Sequence, residues 1–505
     1  MRVLLIIYVF LFSANSIAQL SEVVVGKEYS NNRKEAFNGF IGETDLAVYG
    51  VDYAYVTKKK QDLTLKKYYK KNLNLVESIS LYSNPIEDYI NTPLDLYFVN
   101  NTFYLFSQFE KNKTESAKIG LFKFDENCNQ LSFEVIDTVE RMSQTKIEVV
   151  LSIDTTGFLV TQSHIHKVAK RQVVELLSLN LDGEVSWRKE LLSTNSVNQT
   201  EVEEMIHTKN ETYLLCNYGY KGVSETMSLR NKYTLWVYNH ELNFMKEVVL
   251  RLKKKWINGV MIKLNHNNEL IVAGYVNDSK KFGVNACFNF KLNDKYEPEM
   301  VNYSKFSTDD LAKFVSKKKL NRVKYIEDIY LREVLLQDDG SFYTIGEEYY
   351  IYVDRVYDPR TNMTSTTEHY NFNALLISYF DKDGSLKWNK KLSKNQNSVE
   401  DLGFYSSFTT VNLEGNAFAI VYNDHEKNLG LSLSDHENHK ELFNNRRHAI
   451  VYVLVGDEGM VKRKRVVEKT SFKLYAGQSN AIKKNQIYLK TEYGRNSKII
   501  GLEFE

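Results

Sequence analysis

A histidine-rich stretch near the carboxyl end is the part of this sequence best supplied with metal-ligating side chains. Between positions 423 and 447 it contains His425, Asp435, His436, Glu437 and His439. Zinc sites in proteins use three or four nitrogen, oxygen or sulfur ligands at about 2 Å. A divalent-metal site formed by His425, Asp435, His436 and His439 is therefore one hypothesis. The spacing matches no known zinc motif, which favours a solvated polar loop instead, and no other cofactor is predicted.

Carboxylates in the same region offer a second chemistry, the cleavage of a glycosidic bond. A glycosidase needs two carboxyl groups about 5 to 10 Å apart. Four aspartates fall within long connections of the chain, namely Asp354, Asp358, Asp424 and Asp435. The sequence contains no Gly-x-Ser-x-Gly elbow, phosphate-binding loop or His-Glu-x-x-His helix. These absences favour a protein without catalytic activity, with a carbohydrate-active hydrolase or lyase as the alternative.

Side chains suited to protein contacts are concentrated at positions 349–373. This stretch alternates aromatic and polar residues on both sides of a Pro-Arg-Thr-Asn turn. The alternation predicts a hairpin that either protrudes or packs back on its own sheet. Tyrosine and arginine are enriched in interfaces. The candidate binding residues are Tyr350, Tyr352, Arg355, Tyr357, Arg360 and Tyr370.

Two Asp-Gly hairpins indicate how the chain positions these residues. Residues 179–191 (LNLDGEVSWRKEL) and 379–392 (YFDKDGSLKWNKKL) each place a tryptophan, Trp187 or Trp388, four positions after the turn glycine. Asp-Gly between alternating runs is a strong hairpin signal because both residues tolerate positive φ. We expect the tryptophans to pack between neighbouring repeats, with a ligand platform as the alternative. The first strand of the hairpin recurs at 63–72, 118–127, 174–183, 233–242, 285–294, 374–383, 449–458 and 497–505.

Another pair of apolar runs precedes each hairpin, for example at 94–109 and 149–163. Four strands per unit, repeated along the chain, predict an all-β fold that is a single β-propeller of eight blades, with seven blades as the alternative. The second hairpin strand is missing after the last repeat. The run at 21–29 has the same alternation and no partner, so we expect it to complete the last blade and close the ring. One short helix, capped by Ser307 or Thr308, is predicted between the fifth and sixth units.

This pattern resembles exported bacterial β-propellers of the quinoprotein-like kind, whose blades carry an Asp-Gly turn followed by a tryptophan. The resemblance is clear at residues 182–187 and 383–388 and weaker in the other units. It implies the fold and no particular activity. The vicinal cysteine pair of quinoprotein alcohol dehydrogenases is absent, as are the sialidase Asp-box, the kelch double glycine and the Trp-Asp dipeptide of WD40 blades.

The long connections of the predicted propeller all fall on one face. In this fold, the connections from the second to the third strand of a blade, and from one blade to the next, open on the same side. The long ones are at 218–231, 303–328, 349–373 and 423–447. Because loops on rigid scaffolds commonly carry binding function, we predict a non-catalytic binding or scaffold module that acts through this face. In the alternative, the carbohydrate-active hydrolase or lyase has its active site in the central funnel of the propeller.

The start of the sequence predicts export. Residues 1–18 contain Arg2, an apolar run and a Ser-Ile-Ala ending, which is the pattern of a signal peptide, so the propeller domain is expected at 19–505. No later apolar run is long enough to span a bilayer. The net charge of +2 does not favour nucleic acid as a partner. We therefore expect a soluble protein of the periplasm or the cell exterior that binds another cell-envelope protein or a polysaccharide.

Overall fold

The computed structural model shows a chain that is folded almost entirely into antiparallel β-strands. The residues that it describes are 19–31, 35–57, 60–81, 84–111, 116–139, 146–165, 172–192, 200–218, 233–252, 255–279, 283–360, 362–435, 437–444, 446–461, 463–468 and 470–505. The predicted signal peptide at 1–18 lies outside the described residues, as does nearly all of the predicted connection at 218–231.

The first half of the chain contains eighteen described strands, of which the last sixteen form four sheets of four strands each. The strands are β1 (Leu20–Val25), β2 (Tyr29–Ser30), β3 (Glu35–Glu43), β4 (Ala47–Thr57), β5 (Lys60–Tyr69), β6 (Asn74–Ser80), β7 (Ile90–Val99), β8 (Thr102–Glu110), β9 (Ala117–Asp125), β10 (Gln130–Val139), β11 (Lys146–Leu151), β12 (Gly157–Ile165), β13 (Gln172–Asn180), β14 (Val185–Leu192), β15 (Thr200–His207), β16 (Glu211–Tyr218), β17 (Tyr233–Asn239) and β18 (Phe244–Leu250). From β3 onward, each successive group of four strands forms one sheet, and these sheets are blades 1 to 4.

The second half forms four more sheets, some of them enlarged. The strands are β19 (Trp256–Leu264), β20 (Leu270–Asn277), β21 (Ala286–Leu292), β22 (Pro298–Lys305), β23 (Ile329–Leu336), β24 (Phe342–Asp358), β25 (Met363–Phe380), β26 (Leu386–Leu392), β27 (Gln396–Val399), β28 (Thr409–Leu413), β29 (Ala417–His425), β30 (Leu442–Phe443), β31 (His448–Gly456), β32 (Gly459–Met460), β33 (Lys464–Arg465), β34 (Lys473–Leu474), β35 (Asn480–Lys483), β36 (Gln486–Tyr493) and β37 (Asn496–Phe504). Blade 5 is β19–β22, blade 6 is β23–β26, blade 7 contains β28, β29 and β31–β33, and blade 8 contains β34–β37 with β1.

The eight sheets form a closed ring. The first strands of neighbouring blades contact one another, and β35 of blade 8 contacts β3 of blade 1. In the described part of the chain, each of the eight buried apolar clusters lies between two adjacent blades, including blades 8 and 1. Strand β1 pairs with β37 from Leu20 opposite Phe504 to Val25 opposite Ile500. The eight-bladed propeller closed by its N-terminal strand is therefore confirmed.

The Asp-Gly turns have the predicted positions but a different geometry. In both turns the glycine alone has a positive φ, +87° at Gly183 and +79° at Gly384. A register shift follows each turn, as in a hairpin loop that ends in a glycine bulge. Gly384 also has a packing role, because a Cβ atom there would lie 2.3 Å from the Asn289 and Asn302 side chains of blade 5.

The two tryptophans pack between blades, as predicted. The Trp187 ring of blade 3 lies 5.3 Å from the Tyr238 ring and 4.3 Å from the His240 ring of blade 4. The Trp388 indole of blade 6 donates a hydrogen bond of 2.5 Å to the carbonyl oxygen of Asp457 in blade 7. Each ring therefore fixes one blade against the next.

The connection between blades 5 and 6 contains two short helices where one was expected. They are α1 (Thr308–Ala312) and α2 (Lys317–Leu320). Ser307 caps α1 in a reciprocal capping box with Asp310, as the sequence predicts. The helix stops because Ser316 adopts an extended conformation, with φ −58° and ψ 147°. The break allows apolar residues of both helices, Leu311 and Leu320, to pack on the cluster between blades 5 and 6.

Candidate functional site

A two-stranded ribbon projects from blade 6 at positions 349–373. We call it the blade-6 hairpin. It is formed by the outer parts of β24 and β25, which pair continuously from Tyr349 opposite Phe372 to Asp358 opposite Met363. The pairing of β23 with β24 ends at Glu348. In the described part of the chain, the outer edge of β24 beyond this point faces no further strand.

Most of the predicted binding residues are displayed on this hairpin. Tyr350, Tyr352 and Tyr357 are 39%, 56% and 57% exposed, and Arg355 and Arg360 are exposed as well. Tyr370 is different, since it is only 4% exposed and its hydroxyl donates a hydrogen bond to Glu368. That hydrogen bond raises the pKa of Tyr370 to about 12. Tyr370 therefore supports the ribbon and offers little contact area.

The two faces of the hairpin carry different side chains. Residues opposite each other in the ladder share a face, so Tyr352 lies beside His369, with their rings 5.9 Å apart. Asp354 lies on the same face, and its Oδ2 is 3.4 Å from His369 Nε2. The other face carries exposed Ile351 together with Val353, Arg355 and Tyr357. The ladder places Glu368 and Thr366 on this second face as well, opposite Val353 and Arg355, so both faces mix polar side chains with apolar or aromatic ones.

The base of the hairpin is tied to the insertion of blade 7. Strand β27 pairs with β25 from Gln396 opposite Phe372 to Val399 opposite His369, and β30 pairs in parallel with β27. Two of the predicted insertions, 349–373 and 423–447, therefore share one sheet. Strand β27 could not be predicted from the sequence. Its buried residues are the polar Gln396 and Ser398, so the strand lacks the apolar alternation on which such a prediction depends.

A cluster of buried ion pairs supports the base of the blade-6 hairpin. Glu347 and Lys394 have fully buried side chains, and Glu347 Oε1 lies 2.8 Å from Lys394 Nζ. Glu347 also accepts hydrogen bonds from Arg332 at 3.1 Å and Ser407 at 2.9 Å. Lys394 donates to the carbonyl oxygen of Phe372 at 3.0 Å. Burial lowers the pKa of Lys394 against the attraction of Glu347. The base of the hairpin, where Phe372 lies opposite Tyr349, is thus held by a charge-assisted hydrogen bond.

The blade 7 insertion is organised around Arg463. This side chain is 1% exposed, and its Nε lies 2.9 Å from Asp424 Oδ2. Its other nitrogens donate to the carbonyl oxygens of Asn428 at 2.7 Å and Ser393 at 2.9 Å. Arg463 therefore links the insertion to the end of blade 6. Asp424, one of the candidate catalytic carboxylates, is held within this ion pair.

The predicted metal ligands occupy separate environments. His439 Nε2 lies 3.3 Å from an Arg463 nitrogen. His425 Nδ1 accepts the backbone N–H of Lys427, and Asp435 accepts the backbone N–H of Asn438. His436 lies outside the described residues. Among the described residues, no group of three or more histidine, cysteine, aspartate or glutamate side chains is arranged to hold a metal ion.

A cavity of about 450 Å³ lies at the foot of the hairpin. Its walls include Arg332, Glu333, Phe372, Leu402 and Phe404. Glu333 also lines a second cavity of about 450 Å³, whose walls come from the first strands of blades 6, 7 and 8. Thr410 Oγ1 donates to Glu333 at 2.8 Å. Burial raises the pKa of Glu333, while the Thr410 hydrogen bond and the charge of Lys263 oppose the rise.

The raised pKa of Glu333 predicts a pH-dependent effect on stability. A carboxyl group whose folded-state pKa lies above its ordinary value of 4.5 favours folding below that value, and this contribution is lost as the pH rises through the folded-state pKa. We expect Glu333→Gln to be more stable than the native protein at pH 7 and equally stable near pH 4. Urea midpoints at the two pH values test this, with the exposed-turn variant Glu414→Gln as the control. A less stable Glu333→Gln protein at pH 7 would contradict the prediction.

Comparisons with known proteins assign no family to this chain. No protein-family model matches it, and no curated protein matches it. Among solved structures, the WD40 domain of SCAP from fission yeast is 9% identical, with 95% of each chain covered and a TM-score of 0.39. The β-propeller domain of the Trilobed protease from Pyrococcus furiosus is 9% identical, with 87% of this chain and 97% of that chain covered and a TM-score of 0.37.

A mutant of the Synechocystis apocarotenoid oxygenase is 8% identical, with 70% of this chain and 71% of that chain covered and a TM-score of 0.35. At this level of similarity, these structures add nothing to what the sheet topology shows. No helix in the described residues has the length and apolar character needed to cross a bilayer.

Proposed function

We propose that this protein is a non-catalytic binding or scaffold module and that the blade-6 hairpin is its contact surface for another cell-envelope protein. The observation that carries the proposal is the exposure of Tyr352, Tyr357 and Val356 on a ribbon whose base is fixed by buried ion pairs. Rigid aromatic side chains lose little entropy on binding. The free edge of β24 also offers backbone groups to a partner strand. A polysaccharide is the alternative partner, since tyrosine rings can contact sugar faces.

The proposed location is outside the cytoplasm. It is supported by residues 1–18, which have the pattern of a signal peptide, and by the resemblance to exported bacterial propellers of the quinoprotein-like kind. That resemblance rests on the Asp-Gly turns at 182–183 and 383–384, each followed by a tryptophan. Immunoblotting of periplasmic and cytoplasmic fractions, with a variant that lacks residues 1–18 as the control, tests this part separately.

The binding surface is tested by affinity purification of the tagged protein from gently solubilised native envelopes. We expect a stoichiometric partner with the native protein and none when Tyr352 to His369 are replaced by an Asn-Gly turn. We expect Tyr352→Ala to weaken the isolated complex by about 2 kcal/mol, which is about 30-fold in Kd. The paired strands up to Ile351 and Tyr370 remain in the shortened protein, so the blade itself is left intact.

The matched controls are tyrosines of the same exposure elsewhere on the propeller. Tyr493 in blade 8 is 56% exposed, as Tyr352 is, and Tyr69 in blade 1 is 40% exposed. Tyr493→Ala and Tyr69→Ala should leave partner recovery unchanged. If all three alanine variants weaken the complex equally, or if the shortened protein still recovers the partner, the hairpin is not the contact surface.

A carbohydrate-active hydrolase or lyase is the second candidate, and one observation favours it. Burial raises the pKa of Glu333, which lines two cavities, and a raised pKa of this origin is what general acids have. Two of the aspartates considered from the sequence are engaged elsewhere, because Asp424 is paired with Arg463 and Asp354 lies beside His369. Release of reducing ends from a polysaccharide panel by the native protein, lost in Glu333→Gln, would support this candidate.

A further inference from the structure

A third cavity lies at the junction of blades 6 and 7, and none of its lining residues belongs to the blade-6 hairpin. It has a volume of about 540 Å³ and lies between the last strand of blade 6, helix α1 and the blade 7 insertion. Its walls are formed by Lys313, Lys390, Lys391, Met460 and residues 430–434. The side chains of three lysines therefore line one cavity, at a place where three different elements of the chain meet.

The lysines of this cavity have too few negative partners. Lys313 Nζ lies 2.8 Å from Asp310 Oδ1. Lys390 Nζ donates to the carbonyl oxygen of Glu458 at 2.7 Å, and Lys391 Nζ donates to the carbonyl oxygen of Lys313 at 2.7 Å. No carboxylate of the described residues lies within 4.0 Å of either amine. The cavity thus holds one close carboxylate for three ammonium groups.

The surroundings hold Lys390 in a defined position. Its amine lies 4.9 Å from the centre of the Trp388 ring, which attracts a cation. It also lies so close to Gly459 that a Cβ atom at that position would be 1.6 Å from Nζ. Burial lowers the pKa of Lys390 and the charge of Lys313 lowers it further, while the charge of Glu458 opposes the shift. Burial likewise lowers the pKa of Lys391, although Glu348 opposes this at longer range. A bound anion near these amines would favour the charged form of both lysines and so oppose the effect of burial on their pKa values.

We propose that this cavity binds a phosphate or sulfate monoester of a small organic molecule or glycan. The three amines supply point charges for the oxyanion, which is how lysine binds phosphate. Ser432 and Ser434, whose hydroxyl oxygens are 3.3 Å apart, supply further donors at the rim. Leu431, Leu433 and Met460 line the rest of the cavity and suit the organic part of the ligand. The site is separate from the blade-6 hairpin and does not depend on the function proposed for it.

Trp388 fluorescence provides the test, because the ring lies beside Lys390. The probes are inorganic phosphate, inorganic sulfate, glucose 6-phosphate and heparin, each titrated at constant ionic strength with chloride as the reference. We expect a saturable change with the native protein, weakened about 10- to 100-fold in Lys390→Met. A response to glucose 6-phosphate alone would identify a phosphorylated small molecule, and a response to heparin alone a sulfated glycan. Either result supports the site.

The matched control is Lys387→Met. Lys387 lies on the same strand, but its side chain is 48% exposed and paired with Asp381 at 2.9 Å. This variant should bind as the native protein does. Lys313→Met, which changes a 40% exposed side chain, provides a second disruption if Lys390→Met fails to fold. The proposal is overturned if no probe gives a saturable response, or if Lys387→Met weakens binding as much as the cavity variants.

Discussion

Replacing Asp52 with alanine is expected to lower the free energy of unfolding by about 3–5 kcal/mol. Asp52 is fully buried on β4 of blade 1. It forms ion pairs with Lys66 of the same blade and with Lys490 of blade 8, the latter at 3.1 Å. The side chains of both lysines are almost completely buried. The variant would leave two buried ammonium groups without their shared carboxylate, at the seam where the ring closes.

Urea denaturation measures this loss, and two further variants identify its cause. Asp45→Ala removes an exposed carboxylate of the same blade and should change stability by less than about 0.5 kcal/mol. Asp52→Leu combined with Lys66→Met and Lys490→Met removes the whole charged group. It should recover much of the lost stability, because an apolar replacement of a buried ionic cluster leaves no unpaired charge. Native-like stability of Asp52→Ala would show that the two lysines do not need the carboxylate.

Removing residues 19–25 is expected to destabilise the propeller on the order of 5 kcal/mol. The deletion takes away β1, the fourth strand of blade 8, and leaves the edge of β37 unpaired from Ile500 to Phe504. Leu20 and Val23 pack on the cluster between blades 7 and 8, and Val24 packs on the cluster between blades 8 and 1. Two interfaces of the ring therefore lose apolar contacts in one change, and the exposed strand edge favours aggregation.

Thermal unfolding followed by circular dichroism, together with light scattering, measures both effects. A peptide of residues 19–30 added to the shortened protein should restore the unfolding midpoint, since it can pair with β37 again. The same peptide with Val23→Asp and Val24→Asp is the control, because it cannot enter the two apolar clusters. An unchanged midpoint in the shortened protein would mean that the ring is stable without the β1 to β37 ladder.

The blades and their closure could be predicted because their signals are local. Alternating apolar residues, the glycines of the Asp-Gly turns and the unpartnered run at 21–29 each report on a few neighbouring positions. The hairpin at 349–373 could be predicted for the same reason. The burial of Tyr370 could not be predicted, because it depends on chain segments that are distant in the sequence.

The buried charges could not be foreseen from the sequence for a related reason. Arg463 lies in the basic run from Lys462 to Arg465, which is typical of a solvated strand, and its carboxylate partner is 39 positions earlier at Asp424. Lys394 and Glu347 are likewise far apart along the chain. The break between α1 and α2 follows from packing on two blades and has no signal in the helix propensities. Pairings of this kind appear only when the blades are placed side by side.

The ladder between β1 and β37 also has a consequence for how a newly made chain reaches its native state. Ser21 and Glu503, which are hydrogen bonded across this ladder, are 482 positions apart in the sequence. At typical rates of protein synthesis, about 25–100 s separate the appearance of the two segments. During that time the valines of β1 have no native partner. The ladder between β1 and β37 therefore forms late, and the emerging chain must keep β1 from pairing elsewhere until residues 500–504 have been made.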